Sequence, residues 1–221
     1  MYPESDDPSR PLWDDLELET QRCEVRAREV PARATNELYA VEVFDVLTRR
    51  ECDALIAATE ARGYEPALLN RGFGRQELVP STRRGDRRIV DDARLASLLF
   101  ERVRPFAPEV VGAYRLVGLN ERLRFLKYAP GDYFRRHRDG CYGRADGTGE
   151  RSFLTLLLYL NDEYDGGFTT LFNHEHEETR VAPEPGLVLL HDHALLHESP
   201  DLKLGLKYAI RTDVMYAPID G

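Results

Sequence analysis

His137-Arg-Asp139 sets an imidazole and a carboxylate two residues apart. An extended strand turns residues i and i+2 to the same face, so both side chains can reach one metal ion. A third donor must come from elsewhere, and His197 lies in a second segment rich in strand-forming residues. Two imidazoles and one carboxylate on one side of an ion leave the opposite positions open. That donor set suits a ferrous ion that binds exogenous ligands. Lys207 follows His197 in another strand-like run and is the cation such a site needs if one of those ligands is a dicarboxylate.

Each of these residues has rivals. All six histidines fall at or after position 137, and His174, His176, His191 and His193 compete for the third donor position. His197 is preferred because it alone stands ten residues before a cation inside the strand-like Lys207–Tyr216. His191-Asp-His193 is a cluster that can hold a metal by itself, but reads as a turn or rim pair. His174-Glu-His176-Glu-Glu reads as an exposed acidic loop. Arg211 rivals Lys207, since i and i+4 share a strand face. Asp213 lies on that face too and would neutralise Arg211 as a structural ion pair.

The elements that must position these groups are legible from periodicity. Residues 1–37 are polar, hold Pro3, Pro8, Pro11 and Pro31, and carry ten acidic residues against five arginines. They read as an arm that Trp13 and Leu16 anchor to the body. Residues 38–47 alternate as a strand. Thr48-Arg-Arg-Glu51 is a capping box; Cys52, Leu55, Ile56 and Thr59 follow at helical spacing, and Gly63 closes the helix. Residues 70–88, with three glycines and six arginines, read as loops around a short strand. Asp91-Asp92 opens a second helix with Leu95, Leu98, Leu99 and Val103 inward. From Leu123 onward short strands are expected at 123–128, 133–139, 153–160, 168–172, 186–190 and 207–216. Strands of that length separated by turns make a sandwich or barrel, here preceded by helices.

A chain of 221 residues suits one domain, and no run approaches the roughly 18–20 apolar residues of a membrane span. Cys23, Cys52 and Cys141 are odd in number and lack CxxC spacing, which argues against a disulfide framework and for a reduced cytoplasm. The formal charge of −9 disfavours nucleic acid as partner. Basic clusters nevertheless surround the chemistry: Arg83, Arg84, Arg87 and Arg88 flank Gly85, and Arg135, Arg136 and Arg138 flank the His-x-Asp pair. They point to an anionic substrate.

Several motifs together carry a family resemblance. They are Tyr128-Ala-Pro-Gly131, Phe134-Arg-Arg-His137-Arg-Asp139, Thr155-Leu-Leu-Leu-Tyr159-Leu-Asn161, Gly166-Gly167-Phe-Thr169, His197-Glu-Ser-Pro200 and Gly205-Leu-Lys207-Tyr208. The chain resembles the iron- and 2-oxoglutarate-dependent dioxygenases, and within them the prolyl 4-hydroxylase-like branch, over most of residues 40–217. The resemblance implies a mainly β fold: a double-stranded β-helix (jelly roll, cupin-like) over about 123–217, preceded by N-terminal helices with helical support at 48–104, so that 38–221 form one domain. It implies Fe(II) held by His137, Asp139 and His197, with O2 and 2-oxoglutarate as co-substrates and ascorbate as a candidate reductant. Lys207 would anchor 2-oxoglutarate, with Tyr128, Thr155 and Tyr159 lining its pocket and Arg211 nearer the metal. The implied reaction is hydroxylation of a C–H bond in a peptidyl prolyl or small-molecule substrate, with release of succinate and CO2. A non-catalytic jelly-roll module and a zinc hydrolase are the rival readings. Gly166-Gly167-Phe168 departs from the family's frequent Gly-Gly-Glu-Thr and weakens any close transfer of substrate.

Overall fold

Alternation in a few long strands sorts the chain into a helix-covered face and a cavity face. In Arg151–Tyr159, Leu154, Leu156 and Leu158 join a core cluster with Leu55, Leu95 and Leu99 of the two main helices. Leu157 and Tyr159 on the opposite face pack with Leu171, Leu189 and Leu195. The computed structural model describes residues 25–70 and 76–219, so the expectations for Trp13 and Leu16 lie outside the described residues.

Both helices start where their caps predict. Thr48 Oγ1 accepts from the Glu51 N–H at 3.2 Å and Glu51 Oε2 accepts from the Thr48 N–H at 2.7 Å, opening helix Arg49–Arg62, which Gly63 ends at φ +73°. Asp92 accepts from the N–H groups of Arg94 and Leu95 and opens helix Ala93–Val103. Buried Arg102 ties the helices together through Glu51 at 3.0 Å and also donates to the Val46 carbonyl at 2.7 Å.

The larger sheet runs Arg26–Glu29, Ala40–Phe44, Val188–Asp192, Arg151–Tyr159, Lys207–Pro218, Arg122–Tyr128, Asp86–Asp91, Glu65–Pro66, with Tyr114–Leu119 on the far end of Lys207–Pro218. The smaller sheet runs Glu178–Arg180, Thr170–Phe172, His197–Ser199, Tyr133–His137, Arg83–Arg84. Its pairings are antiparallel, and the two sheets face each other as a jelly roll. Lys207 spans the gap from the larger sheet to Ser199 on the smaller. No described helix is long and apolar enough to cross a membrane.

Several strands depart from expectation, among them Arg26–Glu29, which lies within the stretch read as an arm and pairs with Ala40–Phe44. Asp86–Asp91 is no loop but an interior strand, paired with Arg122–Tyr128. Its arginines hide the alternation, because Arg87 lies buried on the cavity face. Tyr114–Leu119 is half-buried and owes its place to long-range pairing with Lys207–Pro218.

Gly186 turns the chain into the Val188–Asp192 strand at φ +84°, and a Cβ there would lie 1.9 Å from the Leu47 carbonyl oxygen. Its own N–H and C=O are committed to Tyr159 O and Val46 N. Gly186→Ala therefore combines a backbone clash with a disfavoured φ. A loss of about 3 kcal/mol or more is expected in urea unfolding.

Candidate active site

His137 and His197 sit in direct register on adjacent strands of the smaller sheet, and Asp139 follows just past the end of the first. One donor atom from each of the three lies within 4.8 Å of the others. His137 Nε2 is 3.7 Å from Asp139 Oδ1, and His197 Nε2 is 4.0 Å from Asp139 Oδ2. Backbone carbonyls fix both tautomers. His137 Nδ1 faces Arg135 O at 2.8 Å and His197 Nδ1 faces Leu195 O at 2.9 Å; a carbonyl only accepts, so Nδ1 carries the proton and Nε2 offers its lone pair. Thr155 Oγ1 donates to Asp139 Oδ2 at 2.5 Å and orients the carboxylate.

The protonation states match a metal-ligating role. Burial first, then the neighbouring His197, pushes His137 down to about 3, so its imidazole is neutral. Burial would raise Asp139, but Arg211, then His197, hold it well below the usual carboxylate range. Two imidazoles that turn Nε2 toward one carboxylate, open on the cavity side, form a donor set that fits Fe(II).

These donors line a cavity of about 640 Å³ between the sheets, together with Tyr128, Thr155, Lys207 and Arg211. Lys207 is 2 % exposed. Its ammonium donates to Gly167 O at 2.5 Å and Ser199 Oγ at 3.1 Å, within 6.0 Å of the Tyr128, Tyr159 and Tyr164 rings. No carboxylate pairs with it among the described residues. Burial alone pushes it down to about 7. A buried cation without an anion is costly, so the pocket is built for an anion that arrives from outside. Arg211 is different: its guanidinium already meets Asp139 at 3.4 Å and Asp213 at 3.2 Å. It is thus the ion pair read from its strand face, and it also stands beside the metal donors.

Tyr159 does not line the cavity; it lies one layer behind and donates to Thr169 Oγ1 at 2.7 Å, which does. Thr169, Ser199 and Arg124 were not singled out by sequence. Ser199 is two residues from His197, a same-face position in a strand, so that signal was present. Arg124 stands on the face of Tyr128 and pairs with Asp213 at 3.1 Å. The turn-or-rim reading holds for His193, which lies in the turn after strand Val188–Asp192, and is corrected for His191. His191 is fully buried in strand Val188–Asp192, paired with Thr155, its ring 4.8 Å from that of His197. Alternation through the apolar run puts His191 on the inner face with Leu189, which an unbroken Leu-Val-Leu-Leu run conceals. His193 is also buried, 4.0 Å from Asp213. His174 and His176 are exposed, as expected.

A jelly roll holding two imidazoles and a carboxylate around an open cavity is an arrangement of non-heme iron oxygenases. Residues 123–212 match the family described as the 2OG-Fe(II) oxygenase superfamily. That match takes in most of the paired strands around the cavity, and the fold is similar to that of solved prolyl hydroxylases. A prolyl hydroxylase from Trichoplax adhaerens, solved in complex with a hypoxia inducible factor oxygen degradation domain peptide fragment, has a TM-score of 0.59 at 20% identity, covering 84% of this chain and 86% of that one. The viral collagen prolyl hydroxylase of Paramecium Bursaria Chlorella virus-1, as its 2OG complex, gives 0.57 at 20% identity, covering 83% of this chain and 98% of that one. A Pseudomonas putida prolyl-4-hydroxylase gives 0.52 at 19%, covering 82% and 93%. No curated protein sequence matches the chain. Fe(II), 2-oxoglutarate and O2, the reactants of this superfamily, fit the donors and the buried ammonium described above.

Proposed function

We propose that this protein hydroxylates a C–H bond of a peptidyl prolyl residue or of a small-molecule substrate, an amino acid or natural product, with release of succinate and CO2. The observation that carries the reading is Lys207: a buried, anion-free ammonium opening on the same cavity as three converging metal donors. When bound, iron and 2-oxoglutarate supply with O2 the oxidising power for C–H cleavage. The chain's own residues do the rest. Lys207 and Ser199 would hold a carboxylate of the co-substrate, and Thr169 would add a hydroxyl. Thr155 and Arg211 fix the Asp139 carboxylate against rotation. Leu126, Leu157 and Ala209 supply apolar wall to the pocket.

The surplus of positive charge in the cavity supports an anionic substrate. The test is succinate formation that requires both Fe(II) and 2-oxoglutarate, paired with mass spectrometry of peptide libraries and cell extract for the mass of one added oxygen atom. Succinate that forms equally without iron sinks the reading, as does failure of 2-oxoglutarate to bind the Mn(II)-loaded protein.

A further inference from the structure

The cavity lining is strongly cationic although the chain is acidic. Six cations (Arg83, Arg87, Arg124, Arg138, Lys207 and Arg211) face three carboxylates, Asp139, Glu198 and Asp213. A ferrous ion adds two positive charges and 2-oxoglutarate removes two, so the surplus survives loading. Most other nearby arginines are accounted for. Arg88 donates to the Arg62 and Gly63 carbonyls; Arg135 pairs with Asp201 at 2.6 Å; Arg136 lies between Glu178 and Glu198; Arg138 donates to Ala194 O at 2.9 Å.

Arg83 is the exception. It is 9 % exposed, its Nε has no hydrogen-bond partner, and no carboxylate pairs with it among the described residues. Its guanidinium lies 4.8 Å above the Phe134 ring, which stacks at 3.5 Å on the metal donor His137, and one terminal nitrogen is 3.5 Å from the Tyr128 hydroxyl. The site is built by the backbone. Gly85 takes φ +137° between strands Arg83–Arg84 and Asp86–Asp91, and a Cβ there would meet the Tyr128 ring at 2.9 Å. That close approach brings Arg83 and Arg87 to one cavity wall, where Arg87 is held by Leu68 O at 3.1 Å. Burial, then the charge of Arg83, lowers Arg87 from its ordinary value, the mark of two like charges sharing a wall.

We propose that Arg83, with Arg87 beside it, seats an anionic group of the primary substrate, a carboxylate or a phosphate. The proposal rests on the oxygenase reading above and assigns its substrate class. A guanidinium fork with a free Nε–H edge matches such an oxyanion, and Phe134 holds the fork one ring away from the metal donors.

The test uses the full-length protein loaded with Mn(II) and saturating 2-oxoglutarate, titrated calorimetrically with inorganic phosphate and, separately, propionate. One of the two is expected to bind saturably, and which one names the source of the anion. Arg83→Met should weaken that binding by about tenfold or more and Arg83→Lys by less, with 2-oxoglutarate affinity unchanged in both. Arg83→Met should also melt higher than wild type without added anion, because an unpaired buried charge has gone. The proposal is overturned if neither probe binds saturably, if Arg83→Met binds like wild type, or if Arg83→Met weakens 2-oxoglutarate itself. The last result would make Arg83 a co-substrate anchor. Loss of 2-oxoglutarate binding in the wild type would instead sink the oxygenase reading.

Discussion

Lys207→Met is expected to raise the dissociation constant of 2-oxoglutarate at pH 7 by about a hundredfold or more, and to stabilise the protein free of co-substrate. Methionine keeps the volume of the side chain but removes the charge. The bound carboxylate then sits buried beside Gly167 O and Ser199 Oγ with no cation to offset its desolvation. Free protein gains, because an ammonium surrounded by three tyrosine rings and no carboxylate is a burden until its ligand arrives.

The pH dependence follows from the same burial. Lys207 is pushed down to about 7 in the free protein, whereas the unfolded chain keeps that proton to about 10.4. Between those values the unfolded state binds more protons, so the free protein gains stability as pH rises from about 7 towards 10. Binding of 2-oxoglutarate draws the proton back. Above pH 7 its affinity should therefore fall by up to about tenfold per pH unit. Urea unfolding and anaerobic 2-oxoglutarate titrations between pH 6 and 9 read both slopes. Lys207→Met should flatten each; wild-type binding in that variant would remove Lys207 from the pocket and leave Arg211 as the anchor.

The convergence of His137, Asp139 and His197 and the inward face of Lys207 were legible because their signals are local: His-x-Asp at strand spacing, and Lys207 opening a long alternating strand. So were the caps at Thr48 and Asp92, where the hydrogen bonds span three residues. What stayed hidden depends on pairings between distant strands. His191 enters the site only because Val188–Asp192 pairs with Arg151–Tyr159 and sets it opposite Thr155. Arg83 separates from its neighbours only once Gly85 packs on Tyr128. A run of arginines carries no mark of which one faces inward, and register supplies it.

Asp139 does two things at once, and a double substitution separates them. It faces the Nε2 atoms of His137 and His197, and it is a counter-ion of Arg211 at 3.4 Å. Asp139→Asn keeps the shape, and the amide oxygen can still accept from Thr155. The charge is gone, so Arg211 is left with Asp213 as its remaining carboxylate. Removing a ligand's outer partner alone costs about 10–100-fold in metal affinity, so removing the carboxylate ligand should cost about a hundredfold or more in Mn(II) binding. Turnover should fall to background. Stability of the metal-free protein should fall as well, since a buried ion pair is broken. If Asp139 were only a counter-ion, Asp139→Asn/Arg211→Met would restore metal binding along with stability. With Asp139 as a ligand, the double variant recovers the melting temperature but not Mn(II) affinity, because nothing replaces the missing oxygen donor between the two imidazoles.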